Sequence, residues 1–198
     1  MITREHDVII VGGGLAGLRA AVGLCEKYDV ALISKVHPLR SHSIAAQGGI
    51  NAALGNNPDS ADDSWEKHAF DTIKGSDYLA DQDAVEIMCR EATGIVYEME
   101  HWGCPFSRFS DGSIAQRPFG GAGYPRTCYS ADLTGHVLLN TLFEKAASLG
   151  VKIYPEWHVL ALAIHENTCH GVAAFDLMNG ELVSLVAKAT LFATGGYG

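Results

Sequence analysis

The run HDVIIV at residues 6–11, apolar throughout its last four positions, reads as a parallel strand covered on both faces. A glycine-rich turn follows. Leu15, Leu18, Ala21, Val22 and Cys25 then recur at helical spacing, and VALIS at residues 30–34 gives a second short buried strand, completing a βαβ unit. Residues 37–57 are rich in Gly, Ser and Asn, carry little periodicity and are too long for an ordinary connector, which marks a functional loop. A helix is expected over 60–73, with Ser60 as its cap and Asp62 and Asp63 at its positive end, and a second over 83–102. Residues 103–126, rich in Gly, Pro and Ser, predict irregular structure with short strands. Another helix starts at Asp132 or Thr134, repeats its apolar residues at three and four, and ends at Gly150. Strands follow at 151–155 and 158–165. Residues 170–188 read as a hairpin, because Asn179 and Gly180 tolerate the positive φ of a tight turn, and ATLFAT at 189–194 reads as a final apolar strand. The whole, residues 1–198, reads as one doubly wound α/β domain with a β-rich insertion.

With 47% hydrophobic residues, the chain is able to bury a sizeable core. Its mean hydropathy of +0.08 comes without an uninterrupted apolar stretch of the roughly 18 residues that a membrane span needs. Arg4, Glu5, His6 and Asp7 are polar or charged and directly precede the apolar residues 8–11, a pattern unlike an export leader. Fourteen basic against 23 acidic residues give a net charge of -9, which argues against a general electrostatic grip on nucleic acid or anionic lipid. The five cysteines (Cys25, Cys89, Cys104, Cys128 and Cys169) are scattered and never spaced CxxC, so neither a disulfide framework nor a zinc or iron–sulfur site is signalled.

Gly12, Gly14 and Gly17 make GxGxxG directly after a buried strand and at the opening of a helix, the Rossmann-like dinucleotide fingerprint in its proper context. The first glycine permits the tight turn, the second lets the backbone approach a diphosphate, and the third allows close helix–strand packing. Phosphates then face free N–H groups at the helix start. Gly13 and Ala16 belong to the same turn. The acidic residue expected about 20 positions on is missing. Ser34 stands there and suits a ribose hydroxyl, while Lys35 suits an extra phosphate, so the fingerprint alone leaves FAD, NAD and NADP open.

The loop HPLRSHSIAAQGGINAALGN resembles the segment RSHTxxAQGGI of succinate dehydrogenase and fumarate reductase flavoprotein subunits. The resemblance implies FAD bound covalently through His42, the histidine that the family attaches to the flavin 8-methyl group. The same bond, by resemblance, raises the flavin potential. It also implies that Gln47, Gly48 and Gly49 lie close against the isoalloxazine with N–H groups toward the atoms that become negative on reduction, and that Arg40, Ser41 and Ser43 contact the cofactor. His37 is assigned a structural role. Aspartate oxidase shares a similar AQGGI loop without that histidine, so an aspartate oxidase-like enzyme or a soluble fumarate reductase with non-covalent FAD is the alternative, and His42 separates the two. A nicotinamide-binding or purely structural module is a rival that the AQGG loop opposes.

The similarity continues through GSDYLADQDA and HWGCPFSR, then QRPFGG, where Phe119 matches a phenylalanine near the dicarboxylate and becomes the candidate for lining a substrate pocket. In ADLTGHVLLNTLFE, Asp132, Thr134 and His136 are expected to cap and pin the helix. PEWHVLAL resembles a strand flanking the adenine, with His158 and Val159 as main-chain contacts, and Thr194 and Gly195 of FATGG match a second flavin motif. The chain departs from the family at Leu39, where threonine is common, at Ala122, which replaces a frequent glutamine, and at PRTCY, where several branches carry a longer glycine-rich insert. The resemblance covers essentially all 198 residues but about the first third of a full member. The capping domain and the catalytic residues are therefore expected outside this chain, no catalytic residue or metal ligand is assigned within it, and an inactive FAD-binding fragment is a further reading. The implied activity interconverts succinate and fumarate by hydride transfer to or from FAD. The implied partners are an iron–sulfur subunit, membrane anchor subunits and, through them, quinone, and the implied location is peripheral, on the cytoplasmic side of the inner membrane.

Overall fold

The chain enters through β1 (Ile2–Val11), four residues longer at its start than the run HDVIIV, because residues 2–5 pair in parallel with a distant strand even though their side chains are exposed. Helix α1 (Leu15–Leu24) buries Gly17, Leu18, Ala21 and Val22 on one face, and β2 (Val30–Ser34) is buried at every position, as its unbroken apolar run requires. These coordinates are a computed structural model that describes residues 2–196. The described chain forms two compact units, residues 2–44 with 139–196, and residues 45–138.

The second unit begins with β3 (Ile50–Asn51) and continues into α2 (Trp65–Gly75) and α3 (Gln82–His101). The expected start of α2 at Ser60 is corrected to Ser64, whose hydroxyl accepts from the Lys67 N–H. Ser60 instead closes a short 3-10 turn, its hydroxyl donating to the Asn57 carbonyl, so its oxygen serves that turn rather than a helix start. Asp81 caps α3 by accepting from the Ala84 N–H. The helices pack through Ala69, Val85 and Cys89. Strands β4 (Gln116–Arg117) and β5 (Thr127–Cys128) complete an antiparallel sheet in the order β3-β5-β4.

Helix α4 (Thr134–Ser148) leads to Gly150, which takes the left-handed conformation that ends a helix, and then to β6 (Lys152–Pro155), β7 (Trp157–His165), β8 (Thr168–Asp176) and β9 (Glu181–Phe192). With β1 and β2 they form one sheet, ordered β6-β2-β1-β9-β8-β7. The first four are parallel, β8 runs opposite to β9, and β7 pairs antiparallel with β8. The separate final strand expected at 189–194 is corrected: residues 189–192 are the last four of β9, because residues 181–192 contain no glycine or proline to interrupt it, and residues 193 and 194 lie beyond the strand. The turn before it also differs from expectation. Gly180 alone is left-handed, and the Asp176 carboxylate organises the loop by accepting from the N–H groups of Met178 and Asn179 and from the Asn179 side chain. Glu166 and Asn167, both at positive φ, join β7 to β8 in a two-residue turn that the polarity pattern does not reveal.

Candidate functional site

In the first unit, β1 ends at Val11 and the chain turns at Gly12, whose φ of +119° disfavours any side chain and whose N–H donates to the Ile33 carbonyl. Added methyl groups show which glycines the protein's own packing demands. At Gly12 a methyl would lie 2.2 Å from the Ala193 carbonyl oxygen, at Gly13 2.6 Å from Ser34 Oγ, and at Gly17 1.9 Å from the Gly12 carbonyl oxygen. At Gly14 its nearest neighbour is Ser43 Oγ at 3.1 Å, so internal packing gives the weakest reason for a glycine there. That position faces space kept for something else. Gly14 opens α1 without a side-chain cap and with no acidic residue in the first turn, which leaves the positive helix end facing that space.

The space is a cavity of about 480 Å³ at the carboxyl ends of β1, β2 and β9, the usual location of a ligand crevice in a parallel sheet. It brings together Gly12, Gly13, Gly14, Ala16, Ser34, Lys35, Ser41, His42, Ser43, His158, Val159, Thr194 and Gly195 of the residues expected from the sequence. Six expected residues do not line it: Gly17, which packs behind the turn, Arg40, exposed at the end of the 3-10 turn Pro38–Arg40, and Gln47, Gly48, Gly49 and Phe119. Leu15, Ile33, Val36, Trp157 and Ala193 line it without having been singled out. Trp157 gave only the signal of an aromatic residue at a strand start; its ring stacks on Tyr154 at 4.7 Å, with Arg4 over both rings.

The electrostatics of the cavity are one-sided. In a chain of net charge -9, no carboxylate among the described residues lines it, while the helix start and Lys35 do. Ser41 Oγ is buried and finds no hydrogen-bond partner among the described residues, a rare and costly condition that a bound polar group relieves. Ser43 Oγ accepts from the Leu15 N–H at 3.3 Å and so ties the His42 turn to the helix start. His37, as expected, is structural: Nδ1 accepts from the Leu39 N–H and the ring packs against Phe143. A diphosphate with sugar hydroxyls fits these donors.

Gln47, Gly48, Gly49 and Phe119 belong to the second unit. A methyl at Gly48 would lie 2.8 Å from Phe119 Cζ, and one at Gly49 2.4 Å from Thr127 Cγ2. Arg117, which sequence reasoning passed over inside QRPFGG, donates through Nη2 to the carbonyls of Gln47 at 3.1 Å and Gly48 at 2.7 Å, while its guanidinium lies 4.3 Å over the Tyr129 ring. The neighbouring Gln116 spans Ala52 and Asn56, donating to one and accepting from the other. Deeper in the unit, the fully buried Arg126 donates twice to Asp63 and once to Asp71. Burial opposes its charge, but the two carboxylates outweigh that and hold its pKa above the usual value. His68 beside them is pushed down by burial and by the Arg126 charge, and burial lifts the Cys128 thiol to about 12. Thr134, expected to cap α4, accepts from the Ser130 N–H at 3.1 Å, and the Gly135 N–H donates to the Ala46 carbonyl; His136 lies in the first turn and Asp132 just before it.

The FAD binding domain family matches residues 7–198. The chain is 47% identical over 207 aligned residues to the succinate dehydrogenase flavoprotein subunit of Rickettsia bellii, with all of this chain and 34% of that protein covered. It is 43% identical over 201 residues to the fumarate reductase flavoprotein subunit of Mycobacterium tuberculosis, again with all of this chain and 34% of the relative covered. Among solved structures, E. coli quinol fumarate reductase FrdA superposes with a TM-score of 0.93 at 40% identity, covering 100% of this chain and 34% of the other. The chain spans about a third of the length of these relatives.

Proposed function

The chain belongs to the FAD binding domain family, and we propose that it is the N-terminal, flavin-binding part of a succinate dehydrogenase or fumarate reductase flavoprotein subunit. The observation that carries this reading is the cavity that gathers the glycine turn, Ser34, Lys35, the Ser41 hydroxyl without a partner among the described residues and His42 around a helix start whose own N-cap, Gly14, has no side chain. FAD, when bound, would supply the two-electron carrier, taking hydride from succinate when oxidised and giving it to fumarate when reduced. The residues of this chain bind and orient it. The first-turn N–H groups of α1 and Lys35 take the diphosphate charge, Ser34 takes a ribose hydroxyl, and the backbone at His158 and Val159 flanks the adenine. His42 supplies the imidazole nitrogen that tethers the flavin. Gln47 to Gly49 form the segment that the resemblance assigns to the isoalloxazine, and Phe119, which touches Gly48, is the side chain assigned to the dicarboxylate.

In the whole protein this reading sends electrons to an iron–sulfur subunit and, through membrane anchor subunits, to quinone, with the flavoprotein held peripherally on the cytoplasmic side of the inner membrane. No helix among the described residues is long and apolar enough to cross a membrane, so attachment through partners is consistent with the chain. The test is the flavin itself. The full-length protein, denatured in acid and run on a denaturing gel, is expected to show flavin fluorescence on its band. His42→Ser is expected to release the flavin on denaturation while native FAD binding persists, and to impair succinate oxidation more than fumarate reduction. Complete release of flavin from the unmutated protein refutes the tether, and a colourless full-length protein refutes the reading.

A further inference from the structure

We propose that Arg117 is a positioning residue that aims the N–H groups of Gly48 and Gly49 as a preformed pair of donors at the electron-accepting ring of the flavin, and so sets how readily that ring is reduced. The proposal rests on the reading above that the loop around Gly48 faces the isoalloxazine. The geometry comes from one atom. Arg117 Nη2 holds two successive carbonyls, those of Gln47 and Gly48. All described peptide bonds are trans, and in a trans peptide the C=O and the following N–H point in opposite directions. Capturing both carbonyls on the Arg117 side therefore fixes the N–H groups of Gly48 and Gly49 on the other side. Neither of these groups donates to an acceptor among the described residues.

The anchor is itself fixed. Arg117 sits in the β4–β5 ladder, and its guanidinium rests on the Tyr129 ring at 4.3 Å. Two residues on, Phe119 closes the same clasp by filling the space where a side chain at residue 48 would stand. A cation bonded to a carbonyl also polarises the peptide, which strengthens the N–H at its far end. Donors aimed in advance at the place where negative charge gathers stabilise the reduced state without reorganising. An unbound loop of three residues containing two glycines would lose that advantage, because nothing else among the described residues holds both carbonyls.

The experiment uses the full-length flavoprotein with its FAD, unmutated and as Arg117→Gln and Arg117→Lys. Two quantities are read: the flavin midpoint potential, by absorbance against reference dyes, and the affinity for sulfite, which adds to flavin N5 and is favoured by the same donors. Arg117→Gln is expected to keep FAD at unchanged stoichiometry, to shift the potential to a more negative value and to weaken sulfite binding about tenfold, the scale of one charge-assisted hydrogen bond. Arg117→Lys is expected to shift both in the same direction by less, since the charge remains and the planar stack on Tyr129 is lost. Unchanged potential and sulfite affinity in the variants that hold FAD overturn the proposal, and if the Gln variant does not fold the Lys variant decides. A flavin-free unmutated protein overturns the functional reading and this proposal together, whereas a flavin-bearing one with unchanged variants overturns this proposal alone.

Discussion

Replacing Arg126 with methionine tests the second unit at its most highly charged buried point. The arginine side chain is 0% exposed, as is that of Asp63, while Asp71 is 19% exposed. Three bonds disappear, of 2.9 and 2.8 Å to Asp63 and 2.7 Å to Asp71. The lost bonds matter less than what remains: the Asp63 carboxylate is left in the interior without its cation. Breaking a buried pair by removing one partner costs about 3–5 kcal/mol. For a chain of this size 1 kcal/mol moves the melting temperature by about 2–4 °C, so a drop of roughly 6–20 °C is expected in thermal unfolding followed by circular dichroism. Adding Asp63→Asn to Arg126→Met removes the stranded charge and is expected to recover part of the loss. A drop below ~1 kcal/mol, or an equal drop in the single and double variants, refutes the reasoning, because an uncompensated carboxylate is then not its cause.

The glycine turn separates folding from binding. Gly17→Ala places a methyl 1.9 Å from a carbonyl oxygen and is expected to destabilise the protein by about 1–3 kcal/mol and to lose FAD, whereas Gly14→Ala is expected to melt close to the unmutated protein yet bind FAD more weakly, as read by flavin absorbance after gel filtration. His68 predicts a pH dependence. Its folded pKa is depressed, so between that value and the ordinary value of about 6.5 the unfolded chain binds more protons, and stability falls as pH falls through this window. His68→Phe is expected to flatten that part of a plot of denaturant midpoint against pH; an unaltered slope assigns the loss to other groups.

How much of this was legible in the sequence depended on the distance over which each cause acts. VALIS at residues 30–34 matches β2 residue for residue, since burial on both faces writes itself into an unbroken apolar run. The glycine turn was legible because its chemistry lies within six positions. Ser60 and Ser64 were alike as caps by residue type, and the choice was made by Asn57 and Pro58, which draw Ser60 into their own turn. β9 is at once a hairpin strand and a core strand, pairing antiparallel with β8 and parallel with β1, and no local pattern joins these two roles in one element. Arg126 meets a carboxylate 63 positions away, and Arg117 meets carbonyls 69 and 70 positions away; no local pattern carries such pairings. Trp157 reaches the cavity because β7 starts there, a consequence of sheet order and not of its neighbours in the chain.

The register of β1 against β9 joins residues 181 positions apart, from Ile2 with Val183 to Val11 with Phe192. On a ribosome, β1 must wait for this partner while the intervening chain is made, roughly 10–40 s at ordinary rates of synthesis. During that interval one edge of β1 is open, and Ala193 to Gly195, which wall the cavity beside the glycine turn, do not yet exist. The nascent polypeptide is therefore unable to assemble this wall early, and capture of a nucleotide there follows closure of the sheet in time.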